Sequence, residues 1–332
     1  MTDAKPLPDS AQSVVTCADL DTAIAHYLEQ HGFRLDMIMP ADAPRIALVS
    51  RDGITLRLEV RDYRDALAAV QEDPLRFVLR RAVDHDAWPE GRAGMQYRDL
   101  IPGRLGGRMI ASHIRIPDGG RVPDYVHYHE VGFQMIHCRR GWVRVVYEDQ
   151  GPPFVMHAGD CVLQPPTIRH RVLEASPGLE VVEIGCPAEH ETWRDHELAL
   201  PTPHRQPHRR FGGQRFVHHI AAEATWQRVE DAGFEFRDTG IAEATNGIAS
   251  VRVLRAMANT NATLVKASRR NLGSGVVFLF VLEGQLQLHV DARGTHAMRA
   301  DDACAVPGGA DYAIEALAPC EVLEVSMAFA SS

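Results

Sequence analysis

The sequence has no cysteine pair at CxxC spacing, no long apolar run and no excess of positive charge. Its six cysteines, at 17, 138, 161, 186, 304 and 320, are scattered. With no secretory signal at the start they read as reduced thiols, not as a disulfide framework. MTDAKPLPDS carries no signal core, and the longest clean apolar run, Val276 to Leu282, falls far short of the ~20 residues of a membrane span. Thirty-five Lys and Arg against 44 Asp and Glu give a net charge of −9. A nucleic-acid or anionic-membrane surface needs a basic patch that displaces counterions, so both are excluded as partners. A cytoplasmic location follows. What is present is ordinary globular material: 332 residues with 45% apolar, enough for two domains and a small module, and 17 histidines.

An internal repeat organises the chain. RFVLRRAVDHDAW (76–88) returns as RFVHHIAAEATW (215–226), QYRD (96–99) as EFRD (235–238), and Gly107 as Gly247. Gly141 of RRGWVRVV matches Gly284 of LEGQLQLHV, and MHAGDCVLQPP (156–166) matches MRADDACAVPG (298–308). The offset stays between 138 and 143, so one domain fold occurs twice. Each copy consists of short β runs separated by Gly, Pro and Asp, which points to a sandwich or barrel. The proline- and glycine-rich stretch 201–213 reads as a linker between a first domain at 71–200 and a second at 214–332.

Residues 1–70 differ. They read strand, helix, then three strands, with Asp19 or Asp21 capping the helix and Ala23, Ile24, Tyr27 and Leu28 as its apolar stripe. Gly32 ends the helix. The order and the wording DLDTAIAHYLEQHGFRL resemble one βαβββ half module of the glyoxalase/bleomycin-resistance superfamily. That superfamily pairs its modules, and a lone module leaves an open sheet edge, so we expect a structural or dimerising role and a homodimer. Glu59 lies near that superfamily's last-strand ligand position, but the first strand offers no ligand.

The chemistry concentrates in GRVPDYVHYHEVGFQMIHCRRG (120–141) and GDCVLQPPTIRH (159–170). On a strand His127 and His129 face one way. Gln134 begins the next strand, and His170 follows a glycine turn, a strand and two prolines. Three imidazoles and an amide oxygen from three strands can converge on one divalent metal, and imidazole suits Fe, Mn, Ni or Zn without choosing among them. These residues resemble the two cupin motifs, G-x5-H-x-H-x4-E-x6-G and G-x5-P-x-G-x2-H. Gly120 (with one residue more before the pair), His127, His129, Gln134 and Gly141 match the first; Gly159, Pro165 and His170 match the second. The resemblance is to the bicupins, over roughly residues 76–330. It implies a mainly β protein with two tandem jelly-roll barrels behind the small α+β module. Two positions depart: Gln134 stands for the usual glutamate and Thr167 for a glycine.

In the second repeat the ligand positions hold Arg270, Leu272, Val277 and Tyr312, so that barrel is expected to bind no metal. Four neutral ligands leave a divalent ion's charge uncompensated, which favours an anionic small-molecule substrate. Tyr125 and Gln164 are candidates for orienting it, and Glu130 and His137 for carrying a proton, although strand parity points His137 outward. Quercetin-cleaving cupin dioxygenases use the ligand glutamate as base, which a glutamine cannot be; cupin hydroxynitrile lyases share three histidines and a glutamine. A metal-dependent dioxygenase on a small enolisable or aromatic substrate leads. A non-redox lyase, isomerase or cyclase, and a non-catalytic binder or sensor, are the alternatives.

Overall fold

The computed structural model describes residues 13–61, 63, 76–84, 87–229, 233–256, 265–266 and 275–329. The N-terminal module comprises β1 (Ser13–Cys17), α1 (Leu20–His31), β2 (Arg34–Met39), β3 (Ile46–Arg51) and β4 (Ile54–Val60). The first repeat contributes β5 (Val78–Arg80), β6 (Gln96–Asp99), β7 (Ile110–Ile116), β8 (Gly120–Arg121), β9 (His127–His129), β10 (Phe133–Arg140) and β11 (Trp142–Tyr147). It continues through β12 (Phe154–His157), β13 (Cys161–Leu163), β14 (His170–Ala175), β15 (Leu179–Cys186) and β16 (Thr192–Arg194). The short pair β17 (Arg210–Phe211) and β18 (Gln214–Arg215) leads into β19 (Val217–His219), β20 (Gln227–Arg228), β21 (Phe234–Asp238), β22 (Ala249–Ala256) and β23 (Val265–Lys266). The last strands are β24 (Val276–Glu283), β25 (Gln285–Val290), β26 (Gly294–Arg299), β27 (Ala303–Pro307), β28 (Tyr312–Ala316) and β29 (Glu321–Met327).

Helix α1 forms where the sequence places it. The Asp19 carboxylate accepts from the Thr22 amide at 2.8 Å, and Gly32 closes the helix at φ 65°. Ala23, Ile24, Tyr27 and Leu28 pack on Leu58 and Val49. The module's sheet runs β1-β4-β3-β2 and continues into the first barrel through β16, β9, β14, β11 and β12. The sheet edge at β2 is therefore covered within the chain, by Thr192 and Trp193 of β16 against Ile38 and Met37. Kinship with a glyoxalase half module rests on the sequence wording alone. The 201–213 linker packs closely: Arg209 reaches Glu148 and Asp149, both at 2.7 Å, and Phe211 is buried.

Two tandem jelly-roll barrels follow, each a pair of facing sheets. In the first, β13-β10-β15-β7-β6 faces the long sheet; in the second, β21-β22-β29-β24-β27 faces β23-β28-β25-β26. Each repeat lends its first strand to the other barrel, β5 pairing with β27 and β19 with β13. The exchange is anchored alike on both sides. Asp302 accepts from the Ala82 amide at 2.7 Å and Asp160 from the Ala221 amide at 2.8 Å. A large apolar core, including Phe133, Met135, Val251, Phe278 and Phe280, fills the space between the barrels. Gly141 and Gly284 show why the repeat keeps a glycine there. Both have φ near 75–78°, and a Cβ would lie 2.3 Å from Ser176 Oγ or 1.9 Å from Pro319 O. No helix among the described residues is long and apolar enough to cross a membrane.

Candidate metal centre

The first barrel encloses a cavity of about 90 Å³. Its wall is mostly aliphatic (Ile114, Ile136, Val145, Val181 among others), interrupted by His127, His129, Gln134, Tyr147, Gln164, His170, Glu183 and His190. Period-two geometry brings His127 and His129 of β9 to one side. His170 opens β14 directly opposite His127 in the ladder. The ligand nitrogens of His127, His129 and His170 all lie within 4.8 Å of one another, and the three rings are buried.

The imidazoles are oriented from behind. His127 Nδ1 is 2.8 Å from the Tyr125 carbonyl and His170 Nδ1 is 3.0 Å from the Ile168 carbonyl. A carbonyl only accepts, so each Nδ1 carries the proton and the lone pair is on Nε2. His129 Nδ1 meets the Thr192 hydroxyl at 3.0 Å. Metal-bound histidines are typically held this way through their second nitrogen, so the residues present fit a divalent ion. Asp124 braces the same corner, accepting from the Val172 amide at 2.8 Å with its other oxygen 3.6 Å from His127 Nδ1.

Gln134 faces the cavity from β10, and its amide Nε2 donates to Glu183 Oε1 at 2.6 Å. The register pairs Ile136 with Glu183, making Gln134 and Glu183 diagonal neighbours on the inward face. Because Nε2 must be the donor to a carboxylate, Oε1 is the atom left to act as ligand. The four candidate ligands are all neutral, and one carboxylate stands a hydrogen bond behind the glutamine. Gln164 also lies in the wall. The Tyr147 hydroxyl donates to its Oε1, while its buried Nε2 has no hydrogen-bond partner. Tyr147 stacks on His170 with centroids 5.4 Å apart, and burial pushes its hydroxyl well above the ordinary phenol range. Burial likewise lowers the His190 pKa, and this ring packs edge-on against His129.

The other candidates lie elsewhere. Glu130 is exposed, outside the cavity wall, and its carboxyl is raised by partial burial and by Glu191. Tyr125 is half-buried with the Arg194 guanidinium over its ring at 4.6 Å; its backbone carbonyl accepts from His127 Nδ1 and its ring packs edge-on against the His127 ring, with centroids 5.9 Å apart. His137 points away from the cavity, as its parity requires. Tyr147, Glu183, His190 and the Pro40–Asp42 segment at the rim were not foreseen. That rim is latched by Arg104, which binds Asp42 at 2.6 Å and Glu189 at 2.9 Å.

In the second barrel, Val277 is core, packed with Phe234, Leu279, Val281, Leu288 and Val322. Tyr312 donates its hydroxyl to Glu324 at 2.8 Å. Arg270 and Leu272 lie outside the described residues.

Residues 112–184 match the family model described as Cupin domain. The fold is similar to that of an oxalate decarboxylase from Lactobacillus farciminis, solved as a formate complex, with a TM-score of 0.55 at 11% identity over 75% of this chain and 86% of that one. It is equally similar to a salicylate 1,2-dioxygenase from Pseudaminobacter salicylatoxidans, with a TM-score of 0.55 at 16% identity over 77% and 86%. The Bacillus subtilis oxalate decarboxylase solved at pH 4.6 gives 0.53 at 12% identity over 75% of each chain. Among curated proteins none matches the sequence. Residues 112–184 are thus a cupin domain, and the two-barrel fold of the chain is that of the bicupins.

Proposed function

We propose that this bicupin is a metal-dependent enzyme whose first barrel holds one divalent ion on His127, His129, His170 and Gln134. On this reading it is a dioxygenase acting on a small aromatic or enolisable substrate with an anionic group. The observation that carries it is the cluster of three buried imidazoles, with Nδ1 engaged behind each, opening into a mostly aliphatic cavity. The ion supplies Lewis acidity and, if redox-active, a means of activating oxygen. The chain's residues do the rest. The aliphatic wall excludes water and suits a planar apolar body, Gln164 Nε2 offers a donor to a substrate oxygen, and Tyr147 fixes that amide's orientation. The similarity to a salicylate 1,2-dioxygenase is consistent with such a substrate.

A non-redox lyase is the second reading, favoured by Glu183: a carboxylate in the cavity wall beside the metal position suits proton transfer better than oxygen chemistry. The oxalate decarboxylases of similar fold are named for cleaving a small carboxylate. Elemental analysis should find about one equivalent of metal, falling at least tenfold in His129→Ala. Full occupancy in that variant rules the centre out. Oxygen uptake by the Fe(II)-loaded protein across a panel of hydroxybenzoates then separates the readings. Turnover of a small carboxylate without oxygen uptake would replace the first with the second.

A further inference from the structure

The two repeats interlock through pseudo-equivalent arginines. Arg98 lies over Trp88 and donates to the Asp301 carbonyl of the second barrel at 2.8 Å. Arg237 lies over Trp226 and donates to the Gly159 carbonyl of the first at 3.2 Å. Beside Arg98 the space is filled. Its Nη2 is 2.9 Å from His113 Nδ1, and His113 Nε2 is 3.0 Å from Glu180 Oε2. A guanidinium only donates, so Nδ1 accepts and the Nε2 proton goes to the carboxylate. One neutral imidazole thus spans an arginine and a glutamate, with Phe280 against it edge-on. Both ring nitrogens being engaged, His113, Glu180 and Asp301 do not make a metal site, close as they are.

The repeat offset carries Arg98 to Arg237, Glu180 to Glu321, Phe280 to His137 and His113 to Val253. The ladders agree: Arg98 pairs with His113 as Arg237 pairs with Val253, and Glu180 with Arg115 as Glu321 with Arg255. The guanidinium and the carboxylate are kept and the ring between them is gone. Beside the guanidinium and the carboxylate is a cavity of about 270 Å³ lined by His137, Arg139, Arg237, Glu283 and Glu321, while Val253 itself is buried in the apolar core. His137 is 2% exposed, and neither of its ring nitrogens has a hydrogen-bond partner; nor does Arg237 Nε. A buried polar group is costly unless something meets it.

We infer that this inter-barrel cavity binds a small neutral azole, a planar ring with one acceptor nitrogen and one N–H donor. The guest spans Arg237 and Glu321 as the His113 ring spans Arg98 and Glu180, with His137 against it. The site is separate from the metal centre, because His137 and Gln134 lie on opposite faces of β10.

Melting temperature of the purified, metal-loaded protein followed against added imidazole tests this, in wild type, Val253→His and Glu321→Leu. All three keep the first-barrel histidines, so imidazole taken up by the metal is common to them and only the difference is read. At about ten times Kd the wild type should gain an extra ~2–4 °C. Val253→His, carrying its own ring, should melt higher without imidazole and lose that increment. Should it fail to fold, Glu321→Leu, which removes the carboxylate that takes the guest's N–H, carries the comparison and should also lose the increment. A crystal grown in imidazole should show a ring between Arg237 and Glu321. Equal increments in wild type and variant, or water alone in the cavity at saturating imidazole, would overturn the inference.

Discussion

Gln134 Nε2 and Glu183 Oε1 lie 2.6 Å apart across the β10–β15 ladder, so the residue in the usual glutamate position is itself held by a glutamate. Gln134→Glu would put two carboxylates in contact inside a barrel. Without metal, like charges at that distance force a shared proton or push the strands apart, costing roughly 1–3 kcal/mol. With a divalent ion on the histidines the second charge is offset. The variant should therefore melt lower than wild type after chelation and recover most of the difference when metal is added. It should also bind an anionic substrate more weakly. An identical melting deficit with and without metal would show that Gln134 does not touch the ion.

Thr167 occupies the position where the cupin motif has glycine, and it adopts φ 62° there. A left-handed L-residue costs about 1–2 kcal/mol, against the ~0.5–1 kcal/mol that glycine's extra freedom costs the folded state. Thr167→Gly should stabilise the protein by up to about 1 kcal/mol, seen as a rise of roughly 2 °C. A lower melting temperature would mean that the threonine side chain contributes more than its backbone costs.

The expected homodimer can now be assigned an edge. With β2 covered by β16, β1 ends the sheet among the described residues, and Val14 on it is 55% exposed. Val14→Lys should convert a β1-mediated dimer to a monomer in light scattering, since a charge on an edge strand blocks pairing. A variant that stays dimeric places the interface elsewhere.

The barrels and the three histidines were legible because both depend on local pattern. The repeat offset gave two copies of one fold, and period two on HYH put two imidazoles on one face. Glu183 was not legible as a site residue: it comes 49 positions after Gln134, and only the β10–β15 register makes them neighbours. One signal was available, the second of the two acids in LEVVEIG, which returns as Glu324 in the second repeat. The exchange of β5 and β19 was hidden for a related reason. Alternation tells which face of a strand is buried, but not which sheet the strand joins. The rim segment Pro40–Asp42 needed the β2–β16 pairing before it could be placed at the cavity at all.

His137 makes the barrel interface sensitive to acid. Burial, with Arg237, Arg139 and His219 facing it, lowers its pKa from 6.5 to about 3. Above pH 6.5 the ring is neutral in both folded and unfolded chains, and its full contribution to stability is present. As pH falls below 6.5 the unfolded chain takes up a proton that the folded one refuses. Stability is then lost by up to ~1.4 kcal/mol per pH unit, until the folded ring protonates near pH 3. His113, His190, His218 and His219 are also lowered by burial and add to the slope. His137→Phe leaves those four in place and removes one proton from the difference. Urea unfolding at pH 7, 6 and 5 should show the variant losing about 2 kcal/mol less than wild type across that range. The comparison uses slopes, so any shift in stability at pH 7 drops out, and equal slopes would mean that His137 titrates normally in the folded protein.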